Sequence, residues 1–326
     1  MFLTVRSPSR RWLSVSGLSK APFTATLGTV GLAFNPRGAH MLTYKKVRTV
    51  PSAINAAYTS SDLGFHADLL YFQNPAHVQL LHCMQSSSTG GASVFVDAFK
   101  CATDLYSTDL HAFNVLATLP VNYHYKHPNS NLYTATKPVT DLRPLRIGDV
   151  LYSSLPEFLE AWERSRQNIR RSTDTQSPSI GVTECLEKIN WGPPFLAPFS
   201  LDGDTMEQAR SSTTAGECLS QKVDDWHDAA HKFNALLHRP THLYERLMKP
   251  GECVLFDNTR VLHARKAFDS GDAGKVRWLR GTYVDKEPYL SKLRVLRHRF
   301  GDPADVGTKQ TDVLPAALDR AQPRGG

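Results

Sequence analysis

Three side chains could together hold a divalent iron ion, those of His66, Asp68 and the distant His263. Two imidazoles and one carboxylate can bind iron(II) on one face and leave the other coordination positions open. In an extended strand, residues i and i+2 point to the same side, so His66 and Asp68 could bind one ion from a single strand. The spacing therefore predicts a metal site, provided that the fold brings His263 to the same place, as a barrel-like double sheet would.

The triad by itself is weak evidence, because a His-x-Asp triplet arises often by chance and this chain contains 13 histidines. The surrounding sequence strengthens it. The informative segments are residues 55–59, 63–71, 78–83, 90–99, 190–195, 256–265, 277–285 and 291–297. Through these segments, which span roughly residues 50–300, the chain resembles the gamma-butyrobetaine dioxygenase family, the carnitine-pathway branch of the TauD/TfdA-type iron(II), 2-oxoglutarate-dependent dioxygenases.

This resemblance implies a mainly β fold with flanking helices, a double-stranded β-helix or jelly-roll. It also implies Fe(2+) held by His66, Asp68 and His263, with 2-oxoglutarate and O2 as cosubstrates and ascorbate as a candidate supporting reductant. The reaction would be hydroxylation of a small metabolite such as gamma-butyrobetaine, trimethyllysine or a related compound, as in carnitine biosynthesis. Iron suits this ligand set better than zinc, although the sequence alone does not exclude another metal.

The far carboxylate of 2-oxoglutarate requires a cation, ideally a planar one that can form two hydrogen bonds. Arg277 is the first candidate, on a predicted strand over residues 276–284 whose alternation places it on one face with Leu279 and Tyr283. The alternatives are that Arg277 pairs with an acid inside the barrel, or that Arg265 is the anchor.

Five further residues are assigned by resemblance to the family. Asn55 and Ser93 would lie beside 2-oxoglutarate, or else be ordinary turn residues. The best-known substrates of the family carry a trimethylammonium group, which aromatic faces bind by cation–π attraction. Tyr58, Tyr283 and Trp191 are therefore predicted to bind substrate, with core packing as the alternative for each.

The charge distribution divides the chain. Residues 1–61 contain eight Lys/Arg and no acidic residue, whereas the rest holds 30 basic and 31 acidic residues, so the overall charge of +7 comes from the amino-terminal part. Residues 1–42 are predicted to be a basic leader, either a transit peptide or a disordered segment. A nearly neutral body without a basic aromatic platform argues against a nucleic-acid partner and favours a small-molecule substrate.

Residues 43–300 are predicted to form the catalytic domain, with helices over residues 99–118 and 222–238, a mobile insertion near 164–183, and a disordered tail over 301–326. The family usually has a further amino-terminal zinc-binding domain, for which the roughly fifty residues before Asn55 contain no cysteine-rich module. This departure keeps a second function open, a catalytically weak or inactive metal-binding scaffold.

The five scattered cysteines lack Cys-x-x-Cys spacing and favour an intracellular protein, mitochondrial or cytoplasmic. The sequence contains no run of about 18 apolar residues, so it predicts no membrane span. A homodimer is considered beside a monomer.

Overall fold

The computed structural model describes complete residues in the ranges 60–87, 89–127, 131–167, 180–199, 220–269 and 277–300. It describes the backbone alone of residues 2–5, 13–16, 45–48, 168–172 and 213–219. None of the helices among these residues is both long and apolar enough to cross a membrane.

Two antiparallel sheets contain most of the strands. Their strands are β1 Phe2–Val5, β2 Leu13–Ser16, β3 Lys45–Arg48, β4 Leu63–His66, β5 Val78–Gln85, β6 Ser93–Asp97, β13 Leu243–Arg246, β14 Cys253–Asp257, β15 Val261–Arg265 and β16 Trp278–Val284. The larger sheet has the order β2-β1-β14-β5-β16-β3, and the smaller has the order β13-β6-β15-β4. Strands far apart in sequence are thus neighbours in space, which is what a site assembled from residues 66 and 263 requires.

The remaining elements are two-stranded sheets and helices. The strands of the two-stranded sheets are β7 Val121–His127, β8 Asn131–Lys137, β9 Thr140–Leu142, β10 Arg146–Ile147, β11 Val150–Leu151 and β12 Leu186–Ile189. The helices are α1 Ala98–Thr108, α2 Leu110–Thr118, α3 Leu155–Ser172, α4 Val182–Cys185, α5 Thr213–Leu237 and α6 Lys286–Phe300. Sheets flanked by helices agree with the fold class predicted from the sequence.

The alternation of side chains along β6 shows how the layers pack. Phe95 points toward the larger sheet, where its ring lies 5.4 Å from that of Phe256. Its neighbours Val94 and Val96 point the other way, into the core shared with α1, α2 and α5. Successive side chains of a strand face opposite sides, so one strand serves two apolar layers.

The predicted helix over residues 99–118 is in fact two helices. Asp109 ends α1 and begins α2, since its carboxylate accepts a hydrogen bond from the backbone N–H of Ala112. Lys232 of α5 donates to the same side chain at 2.6 Å. These interactions lower the pKa of Asp109, the backbone hydrogen bond contributing most.

Other predicted boundaries also shift. The predicted helix 222–238 begins earlier, as α5, and the first part of the predicted insertion continues α3 as far as Ser172. Within the predicted leader, β1 pairs with both β2 and β14. The tail over 301–326 lies outside the described residues.

Candidate metal centre

His66 and His263 meet because β4 and β15 are neighbours in the smaller sheet. The register pairs these two residues directly, and their ring centroids lie 4.2 Å apart. Both are buried, with 3% and 9% of their surface exposed. The pairing therefore brings together two imidazoles that are 197 positions apart in the sequence.

Asp68 reaches the same place by a different route from the one predicted. The strand ends at His66, and Asp68 begins a turn in which Leu69 has φ 65°. Asn258 holds this turn by accepting a hydrogen bond from Asp68 N at 3.0 Å and donating one to Asp68 O at 3.1 Å. The amide of Asn258 also donates to Ala76 O at 3.1 Å. A side-chain clamp, and not the strand alone, positions this carboxylate.

The donor atoms of His66, Asp68 and His263 all lie within 4.8 Å of one another, and His66 Nε2 is 3.6 Å from Asp68 Oδ1. His66 Nδ1 lies 2.8 Å from the carbonyl oxygen of Gly64. Since a carbonyl can only accept, Nδ1 donates this hydrogen bond, and Nε2 is the ring nitrogen that faces the cluster. Two imidazoles and a carboxylate at this spacing fit a divalent ion with nitrogen and oxygen ligands.

Two buried side chains donate hydrogen bonds to the second carboxylate oxygen of Asp68. Neither of these two hydrogen bonds was predicted from the sequence. Gln79 Nε2 donates to Asp68 Oδ2 at 2.8 Å, and the Tyr283 hydroxyl donates to the same atom at 2.5 Å. Gln79 could have been noticed as a polar residue within the apolar run of β5. Tyr283, which was predicted to bind substrate, lines the cavity, and its hydroxyl orients the carboxylate of Asp68.

We expect Tyr283→Phe to weaken metal binding about tenfold, because partners of a ligating carboxylate typically tune affinity by ten- to a hundredfold. Calorimetric titration with Mn(II) would measure the dissociation constant. Tyr289→Phe, on α6, is the matched control and should bind as the wild type does. Equal affinity of Tyr283→Phe and wild type would show that this hydrogen bond has no such role.

Arg277 lies directly before β16 and is buried. It lines a cavity that the His66–Asp68–His263 cluster also lines. Its Nε donates to Gly91 O at 3.1 Å and its Nη2 to Ser93 Oγ at 3.2 Å. Among the described residues, no carboxylate lies within 4.0 Å of its guanidinium, so the alternative of an acid partner in the barrel finds no support there. Burial, with a smaller contribution from the charge of Arg265, lowers the pKa of Arg277 to about 10, so it remains cationic at neutral pH.

The cavity contains about 510 Å³ of empty space, part of it open to solvent. Leu63, Leu81 and Leu279 are among its apolar lining residues. Its polar lining comprises His66, Asp68, Gln79, Ser93, His263, Arg265, Arg277 and Tyr283. The His66–Asp68–His263 cluster and the buried guanidinium of Arg277 thus line one cavity.

Gly91 allows the backbone to pass close to Arg277. Its φ is +73°, and an added Cβ would lie 2.7 Å from Ser87 Oγ and 3.1 Å from Arg277 Cδ. We expect Gly91→Ala to lower the free energy of unfolding by about 1–3 kcal/mol, through backbone strain and this clash. Chemical denaturation would measure the loss. Gly64→Ala, where no atom lies within 4 Å of the added Cβ, should cost nothing, and equal stabilities of the two variants would contradict this account.

Of the other predicted site residues, Trp191 is described and is not among the residues that line this cavity. Trp191 is buried in the core, with its ring 5.3 Å from that of Phe233, and only its backbone contributes nearby by accepting from Ala67 N. Its placement is that of a packing residue. Asn55 and Tyr58 lie outside the described residues.

The sequence of this chain is similar to one protein family and to several known proteins. The model of the family described as "Taurine catabolism dioxygenase TauD, TfdA family" matches residues 17–283. Dioxygenase str8 of Strobilurus tenacellus is 31% identical over 257 residues, covering 77% of this chain and 47% of that protein. Gamma-butyrobetaine dioxygenase of Pseudomonas sp. (strain AK-1) is 30% identical over 253 residues, covering 77% of this chain and 50% of that protein.

The chain therefore spans about half the length of these curated relatives. A solved structure of asparagine oxygenase in complex with Fe(II), 2S,3S-3-hydroxyasparagine and succinate aligns with 78% of this chain and 59% of its own. Its TM-score is 0.46 at 16% identity. The resemblance deduced from the sequence motifs is confirmed at the level of the family.

Proposed function

Because the chain belongs to the TauD, TfdA family, we propose that it is an iron(II)- and 2-oxoglutarate-dependent dioxygenase that hydroxylates a small molecule. One observation carries this proposal. The cavity that contains the His66–Asp68–His263 cluster also contains Arg277, a buried guanidinium with no carboxylate partner among the described residues. A metal site and an anion site in one cavity suit a cosubstrate that has an oxo-acid end and a distant carboxylate.

The residues divide the work as follows. His66, Asp68 and His263 would hold Fe(2+), and Arg277 with the hydroxyl of Ser93 would bind the far carboxylate of 2-oxoglutarate. When bound, the iron supplies the oxidative chemistry by which O2 and 2-oxoglutarate yield succinate, carbon dioxide and a hydroxylated product. Leu63, Leu81 and Leu279 exclude water from part of the cavity, which protects an oxidising reaction from unwanted solvent chemistry.

A double-stranded β-helix, or jelly-roll, is the architecture that we propose for this domain. Its support is the pair of antiparallel sheets with non-consecutive neighbours, together with the apolar layer between them that includes Phe95 and Phe256. The metal cluster lies toward one side of this layer, where His263 packs 5.3 Å from Phe256.

For the substrate, we propose gamma-butyrobetaine, trimethyllysine or a related compound. The name of the Pseudomonas relative supports the first, and trimethyllysine dioxygenase of Gallus gallus, 24% identical, supports the second. Two aromatic side chains also lie near the cluster. The ring centroids of Phe195 and His66 are 5.9 Å apart, and those of Tyr71 and Phe195 are 5.8 Å apart. Such faces can bind an ammonium group.

An intracellular location, mitochondrial or cytoplasmic, is proposed with this function, and a homodimer is proposed beside a monomer. The four cysteines whose side chains are described are all free thiols, which agrees with a reducing compartment.

Succinate release tests the proposal. Purified protein with Fe(II), ascorbate and 2-oxoglutarate should form succinate slowly even without substrate, and a panel of betaines and amino acids should include one that accelerates it. His66→Ala should abolish both activities while its circular dichroism spectrum stays that of the wild type. If the wild type produces no succinate with any member of the panel, the inactive metal-binding scaffold becomes the better description.

A further inference from the structure

One residue outside the cavity lining joins the three chain segments that hold Asp68. Asn258, Gln79 and Tyr283, the three supports of Asp68, belong to the turn after β14, to β5 and to β16. His77 lies directly before β5 and is not among the residues that line the cavity. Its contacts explain how supports from distant segments are kept together.

The backbone of His77 binds two of these segments and is continuous with the third. Its N–H donates to Val284 O at 3.1 Å, beside Tyr283 in β16, and its carbonyl accepts from Asn258 N at 2.8 Å. Gln79 follows two residues later, in β5. A shift of this one residue would therefore move all three supports relative to the metal ligand that they hold.

The side chain of His77 fixes the residue against α6. Its ring is half-buried, and its centroid lies 5.3 Å from that of Tyr289. His77 Nδ1 lies 3.7 Å from Asp257 Oδ1, too far for a hydrogen bond, and that oxygen accepts from the N–H and hydroxyl of Thr259. Ion pairs as exposed as this one, at 18% and 35% of the two side chains, contribute little, so the ring contact is the stronger constraint.

We propose that His77 is a positioning residue of the metal centre, whose ring contact with α6 keeps the three supports of Asp68 in place and thereby raises metal affinity. The inference rests on the metal site of the proposed function and extends it to a residue outside the cavity lining. If His77 served only to stabilise the fold, its replacement would lower the free energy of unfolding and leave the metal affinity of the folded protein unchanged.

The test measures the Mn(II) dissociation constant of the whole chain by calorimetry, beside the free energy of unfolding of the metal-free protein from chemical denaturation. We expect His77→Ala to weaken Mn(II) binding about fivefold, which is within the range that one aromatic pair contributes. His77→Phe keeps a ring at this position and should restore most of the affinity. If His77→Ala does not fold, His77→Gln replaces it, since its side chain also lacks a ring.

Tyr152→Ala is the matched control, because it too removes a half-buried ring that packs on another ring. The ring of Tyr152 lies 5.9 Å from that of Phe158, and Tyr152 is outside the cavity lining. Its loss should lower the free energy of unfolding but leave the Mn(II) affinity at the wild-type value. Tyr289→Phe should also keep that affinity, because it retains the ring that His77 contacts.

The outcomes separate this inference from the proposed function. Wild-type affinity in the His77 variant without a ring, or an equal loss of affinity in Tyr152→Ala, would overturn the role of His77, while Mn(II) binding by the wild type would still support the metal centre. A His77→Phe protein that binds as weakly as His77→Ala would overturn the ring contact as the cause. If the wild type itself binds no Mn(II), the proposed function fails and this inference fails with it.

Discussion

Replacing His263 by alanine is expected to reduce succinate formation on the order of a thousandfold, because several kcal/mol of metal-ion catalysis are lost with the ion. Among the residues that the structure describes, His66, Asp68 and His263 form the one group of three metal-binding side chains whose donor atoms lie within 4.8 Å of one another. His263 faces His66 directly across the β4–β15 pairing, and Asn258, Gln79 and Tyr283 hold Asp68 in place. Turnover with Fe(II) and 2-oxoglutarate measures the effect, and Mn(II) titration shows whether metal binding is lost.

His231→Ala is the control for this prediction. His231 is exposed on α5, outside the cavity lining, and its replacement should leave both succinate formation and metal affinity unchanged. A His263→Ala protein that is folded and still turns over 2-oxoglutarate at a rate near that of the wild type would contradict the assignment of the metal-binding triad.

Replacing Arg277 by glutamine is expected to raise the KM for 2-oxoglutarate about a hundredfold, with a smaller change in kcat. Truncating one partner of a buried, hydrogen-bonded charge pair costs about 2–5 kcal/mol, and a hundredfold loss lies within that range. The pKa of Arg277, lowered by burial to about 10, still leaves the side chain charged at neutral pH, so it can attract the carboxylate. Initial rates over a range of 2-oxoglutarate concentrations separate KM from kcat.

Without ligand, the Arg277→Gln protein should have nearly the same free energy of unfolding as the wild type. Removing a buried charge that has no described carboxylate partner also removes its desolvation cost, which offsets the two lost hydrogen bonds. Arg280→Gln, on the exposed side of β16, is the control and should keep the wild-type KM. If Arg277→Gln also kept that KM, the cosubstrate would have to be anchored elsewhere.

The sequence by itself determined the residues whose types define the chemistry. His66, Asp68 and His263 stand out as a ligand set for iron(II), and the period-two alternation after Arg277 correctly placed Leu279 and Tyr283 in the same cavity. Ser93, predicted from its family position to lie beside 2-oxoglutarate, accepts a hydrogen bond from Arg277. Such inferences are possible because residue types and strand alternation are local properties of the sequence.

Only the tertiary structure decided which residues support that chemistry. Gln79 and Tyr283 share one oxygen of Asp68, and Asn258 clamps its backbone from 190 positions away. The ring of Trp191, an aromatic candidate for substrate binding, packs against that of Phe233. Hydrogen bonds and ring contacts between distant segments depend on strand order and register, which no local pattern specifies, so the partners of each ligand appear only once the sheets are assembled.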